Sequence, residues 1–529
     1  MRGRVSVLVV GGGLAGLSSA LFLARRGVDV LLVERRSGMS PFPRAVGQNQ
    51  RTMELLGFGG VAEAVRADGP GVGRFRIKIA ASVRGPAFHE IVHDDEITDA
   101  GALSPAGRGA AGQDELEPVL WSRAAELGAE LRFDTELVSF EQDGAGVTAL
   151  LRGRGGERST EVRADYLVAA DGGRSAVRES LGVGRQGPGS LSHNINMIFD
   201  ADLGDLVDPA RPTMYLLNSG AVAGVFGTVD PAAGRHLFST SYEPGNGESP
   251  EGFTHDRCTE LIRLVTELPD LEPRIRAVHP WEMAAAVAER FRVGRVLLAG
   301  DAAKVIPPIG GFGGNTAIGD AYDLAWKLAA VLDASAGPGL LDSYDAERRP
   351  IADRVVAESL RLQASRGFGP AAEDGVSEQQ KAVELTLGFR YRSSAVLAED
   401  DDGADAEDPY RPTGRPGFRA PHVWLRRGGE AVSTVGLFGR GFVLLAGAGG
   451  GFWSEAAEGV ALSLGVTVDV HVMGEELDDP SGGFLARYGI GSAGASLVRP
   501  DGVVAWRTAS APADPAGVLL GVLTSVLSR

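Results

Sequence analysis

Apolar residues in the N-terminal segment follow two different periods, one after the other. The apolar run Val5–Val10, interrupted only by Ser6, is followed by the glycine-rich stretch Gly11–Gly16, and apolar residues then recur at helical spacing to Ala24. A second apolar run, Val28–Val33, ends at the acidic residue Glu34. Largely apolar runs of this length are typical of parallel strands buried on both faces, and the helical spacing indicates a helix that packs on one side. The pattern predicts a strand, a glycine turn, a helix and a second strand.

Two later apolar runs each end in an acidic residue beside glycine. Tyr166–Gly172 closes on Asp-Gly, and Val296–Asp301 closes on Gly-Asp. Both patterns predict a buried strand that leads into a turn. After the second turn, apolar residues recur at helical spacing from Asn315, which predicts a helix that begins at this residue.

The middle of the chain changes to an alternation of apolar and polar residues. This alternation extends over 183–280 and is clearest in His236–Tyr242. It is typical of a sheet with one solvated face. The acidic, proline-bearing stretch 396–416 predicts a linker, and 417–529 contains the strand and helix patterns of a small α/β domain.

Length, charge and cysteine content narrow the class of protein. With 529 residues the chain is too long for one ordinary core, so two or three domains are expected. The net charge of −17 argues against a nucleic-acid partner, because phosphate binding depends on clustered Lys and Arg. Cys258 is the only cysteine, which excludes an internal disulfide and a thiolate metal cluster. We therefore expect a cytoplasmic protein without a metal site, and no apolar stretch is long enough for a membrane span.

The glycine stretch after the first strand has the spacing of a dinucleotide-binding turn. Gly11 permits the tight turn, Gly13 lets the backbone approach a diphosphate, and Gly16 allows close packing of the helix on the strand. The amino end of the helix offers free N–H groups to the phosphates, and Glu34 is placed to accept the ribose hydroxyls. This motif alone leaves NAD and FAD open. The residues predicted to contact the cofactor here are Gly11, Gly13, Leu14, Ala15, Gly16, Glu34 and Arg35.

The three strand-and-turn segments, in this order and spacing, resemble the flavoprotein aromatic hydroxylases, the single-component FAD monooxygenases typified by p-hydroxybenzoate hydroxylase. The resemblance covers nearly the whole chain and is nearest to the bacterial aromatic polyketide hydroxylases of anthracycline pathways. The segments that carry it are Pro43–Ala45, Gly300–Lys304, Gly388–Ser394 and Gly414–Pro421. It implies one tightly but non-covalently bound FAD, with NADPH as a transient co-substrate.

The resemblance also assigns cofactor contacts beyond the glycine turn. It implies that Arg44 meets the FAD ribose and diphosphate, that Gln113 reaches the phosphates, and that Asp171 serves FAD and nicotinamide binding. Asp301 would bond the ribityl chain. The flat flavin ring would lie against the backbone that follows, at the amino end of the next helix. The residues implied there are Pro308, Gly313, Gly314 and Asn315.

The reaction implied by the resemblance is an aromatic hydroxylation. NADPH reduces FAD, O2 adds at C4a of the reduced flavin, and the hydroperoxide delivers OH to an electron-rich ring. The implied substrate is a polycyclic aromatic small molecule, an anthracycline-like phenol of antibiotic biosynthesis. No residue must act as catalytic acid or base, because a phenol is already activated. Candidates near the substrate, without an assigned catalytic role, are Tyr215, Pro308 and Arg366.

The implied fold class is α/β, with one Rossmann-type FAD-binding domain, an inserted β-sheet domain for the substrate and a C-terminal thioredoxin-like domain without redox cysteines. A homodimer is one expected assembly. The expected ranges are 1–75, 100–182 and 281–395 for the FAD-binding domain, 76–99 and 183–280 for the substrate domain, 396–416 for the linker and 417–529 for the thioredoxin-like domain.

Other functions are weighed against this reading. Enzymes with a second nucleotide-binding turn for NADPH are disfavoured, because Gly447–Phe452 has phenylalanine in place of the final glycine. An antibiotic-inactivating flavin monooxygenase would share the motifs above. A flavin-binding scaffold without turnover would carry them as well.

Overall fold

A computed structural model describes 3–40, 46–66, 74–94, 100–156, 159–208, 211–220, 222–366, 378–399 and 403–529. The contacts divide the chain into two compact units. The first unit comprises Met1–Arg66, Gly101–Gln186 and Val287–Arg529, and the second comprises Ala67–Ala100 and Gly187–Ala286.

The described residues form helices and strands in both units. The helices are α1 (Leu14–Arg25), α2 (Gln50–Gly59), α3 (Ala62–Val65), α4 (Ala100–Leu103), α5 (Gln113–Glu126), α6 (Ala176–Ser180), α7 (His255–Thr266), α8 (Phe312–Leu332), α9 (Asp342–Arg366), α10 (Glu378–Leu387), α11 (Phe452–Leu464), α12 (Phe484–Tyr488) and α13 (Pro515–Val526). The strands are β1 (Arg4–Val10), β2 (Val30–Val33), β3 (Val46–Gln48), β4 (Arg74–Ala80), β5 (Ala87–Asp94), β6 (Gly109–Gly112), β7 (Glu130–Arg132), β8 (Thr135–Asp143), β9 (Gly146–Gly153), β10 (Ser159–Ala169), β11 (Arg185–Asp200), β12 (Thr213–Asn218), β13 (Ala223–Asp230), β14 (Arg235–Tyr242), β15 (Arg274–Ala288), β16 (Arg292–Val293), β17 (Val296–Leu298), β18 (Lys304–Val305), β19 (Trp424–Arg427), β20 (Glu430–Ser433), β21 (Phe442–Ala446), β22 (Val468–Val472), β23 (Ala495–Val498) and β24 (Val504–Thr508).

The main sheet of the first unit is built from the apolar runs that the sequence pattern identified. Its strands lie in the order β16-β17-β10-β1-β2-β7, and β17, β10, β1, β2 and β7 are parallel to their neighbours in that series. Val10 pairs with Ala169 and with Val33, and Ala169 pairs with Leu298. The carboxyl ends of four strands are therefore level. This register places the turns after β1, β10 and β17, and the acid after β2, along one edge of the sheet.

The predicted strand, helix and strand at the amino end are confirmed as β1, α1 and β2. The second strand begins at Val30 rather than Val28, since Val28 and Asp29 still belong to the loop that closes α1. Helix α1 is buried along almost its whole length, because it packs against α5 and α8 as well as against the sheet. The apolar surface of α1 is consequently wider than a one-sided helix requires.

The C-terminal part of the first unit contains a second sheet in the order β22-β21-β23-β24. Strand β21 is parallel to β22 and antiparallel to β23, and α11 and α13 pack together beside the sheet. Trp326 of α8 shares a core with Leu444, Trp453 and Leu523. This shared core is why 403–529 belongs to the first unit. The assignment of a separate third domain stays a prediction.

The later part of the predicted linker, 403–416, packs against the chain before it. Arg390 donates its backbone N–H to Asp405 O, and Glu407 donates to Gly388 O. A Cβ on Gly388 would lie 2.2 Å from the Glu407 carbonyl oxygen, so the two segments approach as closely as only glycine allows. A composition rich in acid and proline did not reveal this packing.

The second unit is an antiparallel-rich sheet that carries one helix on one face. Its strands follow the order β15-β11-β14-β13-β12-β4-β5, and β14 is the segment whose alternation was clearest. Phe226, Phe238 and Met197 lie on one face and pack against Cys258 and other apolar residues of α7. The opposite face is half-buried. No helix in the described part of the chain has the length and hydropathy needed to cross a bilayer.

Candidate cofactor and active site

The turn after β1 has no room for side chains at two of its glycines. Gly11 has a φ of 108°, and a Cβ there would lie 2.2 Å from the Ala170 carbonyl oxygen. A Cβ on Gly16 would lie 1.8 Å from the Gly11 carbonyl oxygen. Both positions therefore require glycine, for the turn and for the close approach of α1.

Gly13 is the residue that caps the amino end of α1, and no side chain bonds the first N–H groups of this helix. A Cβ on Gly13 would meet its nearest atom, Glu117 Oε1, only at 3.9 Å. The backbone here is open on one side, and the helix presents its free amides and its positive end to that space. This is the arrangement that a diphosphate needs.

Glu34 follows β2 at the same edge of the sheet. Its Oε2 accepts a hydrogen bond from the Gly12 N–H (2.7 Å), and its Oε1 accepts one from the Arg36 N–H (2.8 Å). Each oxygen keeps a second lone pair, so the carboxylate is held in place and can still accept from a ribose diol. The neighbouring Arg35 is exposed.

Helix α5 begins at Gln113, the residue that the family resemblance assigns to the phosphates. Gln113 Nε2 donates to Glu117 Oε1 at 2.6 Å. Glu117 is only 1% exposed and lies beside Gly13. Sequence reasoning missed Glu117 because a carboxylate in a first helical turn gives the same pattern whether it is buried or solvated.

Asp171 follows β10 and bonds the start of α6. Its Oδ1 accepts from Ser175 Oγ (2.5 Å) and its Oδ2 accepts from the Val177 N–H (3.2 Å). The adjacent Gly172 has a φ of 87°. The carboxylate therefore fixes the turn after the strand, and its contact with a cofactor stays a prediction.

The turn after β17 touches α1 directly. Gly300 has a φ of 60°, and a Cβ on it would lie 2.6 Å from Ala15 Cβ. Asp301 and Pro308 are both exposed. The segment thus connects the carboxyl end of β17 to α8 while it presents Asp301 away from the core.

Helix α8 begins at Phe312, three residues earlier than the sequence predicted. Gly310 and Gly311 have φ values of 91° and 67°, and Gly311 caps the helix without a side chain. The prediction that the helix begins at Asn315 is wrong, because the glycines after this turn can enter a helix as readily as they can form a loop. A Cβ on Gly313 would meet nothing within 4 Å, so the first turn is bare on that side.

Asn315 lies in the first turn of α8 and fastens it to the start of α2. Its Oδ1 accepts from the Asn49 N–H at 3.0 Å, and its Nδ2 donates to Gly311 O at 2.8 Å. Asn49 in turn caps α2 by accepting from the Thr52 N–H. Two helix starts are therefore tied together.

The remaining candidates are placed differently. Arg44 lies outside the described residues, and Arg366 is the last residue of α9, with its side chain outside the description. Tyr215 is 6% exposed in the core beneath α7, and its hydroxyl donates to Leu206 O at 3.3 Å. Burial raises the pKa of Tyr215. A contact between Tyr215 and substrate stays a prediction.

A group of buried charges, which we name the turn cluster, comprises Lys304, Asp320 and Arg348. Asp320 accepts from the Gly300 N–H at 3.0 Å and from Arg348 Nε at 2.9 Å, and it pairs with Lys304 Nζ. Burial lowers the pKa of Lys304, and the charge of Asp320 offsets part of that fall. The sequence alone assigns no catalytic role to Lys304.

A second group, which we name the tail cluster, comprises Asp323, Lys327, Glu347, Arg499 and Asp501. Lys327 Nζ lies 2.6 Å from an oxygen of Asp323 and 2.6 Å from an oxygen of Glu347. Arg499 donates to both Glu347 oxygens at 2.6 and 2.8 Å and pairs with Asp501. The carboxylates of Asp323, Glu347 and Asp501 are close enough to hold a cation, but each already pairs with Lys327 or Arg499.

Two carboxylates of the tail cluster, Asp323 and Glu347, have pKa values shifted in opposite directions. Burial raises the pKa of Asp323 to about 7, against the opposing charge of Lys327. Burial alone would also raise the pKa of Glu347, but Arg499 and Lys327 outweigh it, so its pKa lies below the ordinary value. Asp323 is therefore the carboxylate of the tail cluster that changes charge near neutral pH.

The residues along this sheet edge fit FAD. The turn after β1 is a cradle that side chains would fill, the starts of α1 and α8 carry no side-chain caps, and a held carboxylate follows β2. A long dinucleotide needs such groups spread along one edge, and the level strand ends provide them.

Two known protein families match successive parts of the chain. The family described as FAD binding domain matches residues 4–359, and the family described as aromatic-ring hydroxylase, C-terminal, matches residues 413–529. The chain is 53% identical to aklavinone 12-hydroxylase RdmE of Streptomyces purpurascens, over 99% of each chain. It is 42% identical to the tetracenomycin A2 monooxygenase-dioxygenase of Streptomyces glaucescens, over 99% of this chain and 97% of the relative.

A solved structure has the same fold over the same extent. The crystal structure of a ternary complex of aklavinone-11 hydroxylase with FAD and aklavinone matches with a TM-score of 0.93 at 52% identity, and the match covers 99% of both chains. The cofactor of this protein is FAD. The chain belongs to the family of FAD-dependent aromatic-ring hydroxylases.

Proposed function

We propose that this enzyme hydroxylates a polycyclic aromatic polyketide, an anthracycline-type phenol, in antibiotic biosynthesis. The observation that carries the substrate class is the 53% identity to an aklavinone hydroxylase over 99% of both chains. That extent includes the second unit, whose sheet forms the substrate site in this family. Identity confined to the FAD-binding segments would support the cofactor alone.

The half-buried face of the second unit has the composition that a flat polycyclic ligand requires. The strand register aligns Leu216, Val225, Ser239 and Asn196 in one row across β12, β13, β14 and β11. Asn196 Oδ1 accepts from Trp281 Nε1 at 2.7 Å. The row is apolar at one end and hydrogen-bonding at the other. Such a surface supports stacking of fused rings with their oxygen substituents directed to the polar end.

The chain contributes binding, orientation and exclusion of water to the reaction. When bound, FAD supplies the redox chemistry, in which a reduced nicotinamide gives electrons and O2 gives one oxygen atom to the ring. The uncapped start of α8 offers free N–H groups and a positive helix end, which would stabilise the negative charge that the flavin gains on reduction. Asn315 keeps that helix start in place through its bond to Asn49.

Several finer assignments belong to the same proposal. NADPH is the proposed electron donor, the location is cytoplasmic, and the assembly is a homodimer. The segment 417–529 is proposed to be thioredoxin-like, which the order β22-β21-β23-β24 and the antiparallel β23 support. The single cysteine, Cys258, is outside this segment, so no redox pair operates there.

The test is turnover with a panel of tetracyclic phenols. Purified protein should be yellow, should oxidise NADPH faster when a substrate of this class is present, and should form a product with one oxygen atom from 18O2. NADPH oxidation that does not respond to any polyphenol, together with product that lacks the label, would overturn the proposal. A drug with an anthracycline core in the same panel separates inactivation from biosynthesis.

A further inference from the structure

We infer that Asp320 is a positioning residue, which holds the Gly300–Lys304 turn in the shape that presents Asp301 to FAD. The inference rests on the proposed cofactor site. It concerns a residue of α8 that the sequence patterns placed only within a helix.

Asp320 bonds both ends of this turn. It accepts from the Gly300 N–H at 3.0 Å, and it pairs with the Lys304 ammonium. Within the turn, the Ala303 N–H donates to Gly300 O at 3.0 Å. Asp301 lies between the two anchored ends and is exposed, whereas Asp320 is fully buried. A single carboxylate therefore decides the path of the backbone on both sides of Asp301.

The rest of the turn cluster keeps Asp320 in its geometry. Arg348 Nε donates to the second carboxylate oxygen at 2.9 Å, and Arg348 also donates to the Tyr391 hydroxyl at 2.9 Å. The carboxylate consequently has charged partners on both oxygens and no freedom to rotate. On the other side, Gly300 is fixed because α1 leaves no space beyond it at Ala15. The turn is clamped between α8 and α1.

The tail cluster provides a matched comparison on the same helix. Asp323 and Lys327 are as deeply buried as Asp320 and Lys304, and they also form a carboxylate–ammonium pair. In the described residues, Asp323 and Lys327 form ion pairs with each other, with Glu347 and with Arg499, and none with the Gly300–Lys304 turn. Loss of charge at either place disturbs the interior of the first unit. Only loss of the Asp320 charge releases the Gly300–Lys304 turn.

The experiment compares Asp320→Asn with Asp323→Asn in the full-length protein. Each variant is freed of FAD and titrated with FAD, and the dissociation constant is read from flavin fluorescence. We expect Asp320→Asn to weaken FAD binding by about tenfold or more and Asp323→Asn to change it less than about twofold. The thermal midpoint of the FAD-free protein reports folding separately. The visible circular dichroism of bound flavin should change in the first variant only.

A second pair of variants covers the case in which Asp320→Asn does not fold. Lys304→Met leaves Asp320 paired with Arg348 but frees the far end of the turn, and Lys327→Met is its control. Lys304→Met should weaken FAD binding several-fold more than Lys327→Met does. Equal FAD affinity in all foldable variants would overturn the inference, and so would equal losses at the two clusters. Wild-type protein that does not bind FAD would instead overturn the proposed function.

A pH profile separates positioning by charge from general loosening of the fold. Three charged groups face Lys304: Asp320 of α8, Arg348 of α9 and Asp301 of the same turn. Without Asp320, the already lowered pKa of Lys304 falls further, so its buried charge opposes the native turn at low pH. Neutral Lys304 removes that opposition. FAD affinity of Asp320→Asn should therefore rise with increasing pH more steeply than wild-type affinity does. A flat profile would contradict the charge-based clamp.

Discussion

At the residue scale, glycine positions decide whether the cofactor cradle can form. A Cβ on Gly16 would lie 1.8 Å from the Gly11 carbonyl oxygen, a contact that backbone cannot relieve without displacing α1 from the strand. We expect Gly16→Ala to abolish retention of FAD. The ratio of visible flavin absorbance to protein absorbance in the purified protein measures this.

The control for this substitution is a helical glycine with free space around it. Gly459 lies in α11, where a Cβ would meet nothing within 4 Å. Gly459→Ala should retain FAD and should raise the free energy of unfolding by about 0.5–1 kcal/mol, because alanine favours the helix. Normal flavin content in Gly16→Ala would show that the close approach of α1 is dispensable.

A second prediction concerns the pH dependence that Asp323 imposes. Its pKa in the folded protein is raised to about 7 by burial, well above the value of an exposed aspartate. An acid with a raised folded pKa favours the native state when protonated, and this stability is lost as pH rises through that pKa. Wild-type protein should therefore lose stability between about pH 4 and 7, and Asp323→Asn should lose less. Urea unfolding at both ends of this range measures the difference.

The sequence identified most of the residues at the sheet edge but not the charges that support them. Glycine spacing predicts the backbone approach at Gly11 and Gly16, because few other arrangements need glycine at those intervals. Asp320 and Asp323 give no comparable signal. Each is one of several polar residues on a mostly apolar helix, and a sequence pattern does not reveal which backbone amide or lysine it meets in the fold.

At the element scale, the C-terminal segment is fastened to the helices beside the cofactor site by buried ion pairs. Arg419 pairs with Glu54 of α2, and Arg499 donates to both oxygens of Glu347 on α9. Arg51, beside the capped start of α2, donates to the Asp501 backbone oxygen at 2.5 Å. The segment therefore braces α2, α8 and α9 from one side. The sequence treated these residues as parts of separate domains, so it predicted none of these bonds.

Removal of one partner from such a pair should be costly. Arg499→Met leaves the Glu347 carboxylate buried with only Lys327 as a cation, and we expect a loss of about 3–5 kcal/mol in the free energy of unfolding. Arg152→Met breaks a pair with Glu136 in which both side chains are about half exposed. That control should cost less than about 1 kcal/mol. Urea unfolding measures both, and similar losses would show that the buried pair does not brace the fold.

Element boundaries show where sequence patterns stop being informative. The start of α1 was found, since the glycine turn directly precedes an apolar helical period there. The start of α8 was placed three residues late, because the run of glycines before Asn315 hides the point at which the backbone becomes helical. Helix ends are set by backbone geometry, and glycine is compatible with both sides of the boundary.

At the scale of the whole molecule, the two units carry different parts of the proposed reaction. The first unit has the sheet edge that fits FAD, and the second has a sheet with one covered and one half-buried face. The two-residue alternation predicted a two-faced sheet in this region. It did not predict which face is covered, because a strand pattern is the same for both choices until α7 is placed.

Substitutions on the two faces of the second-unit sheet test which face contacts the proposed substrate. Asn196 lies on the half-buried face, where its side chain bonds Trp281, and Tyr215 lies on the face beneath α7. Asn196→Leu should raise the KM for a tetracyclic phenol by about tenfold, because it removes a hydrogen-bonding group at the polar end of the row. Its FAD content should not change. Tyr215→Phe removes only the hydroxyl that bonds Leu206 O, so substrate binding on the half-buried face would leave its KM equal to that of wild type, and a substrate contact of Tyr215 would raise it. If Tyr215→Phe alone raises KM, the substrate contacts the opposite face and the proposed surface is wrong.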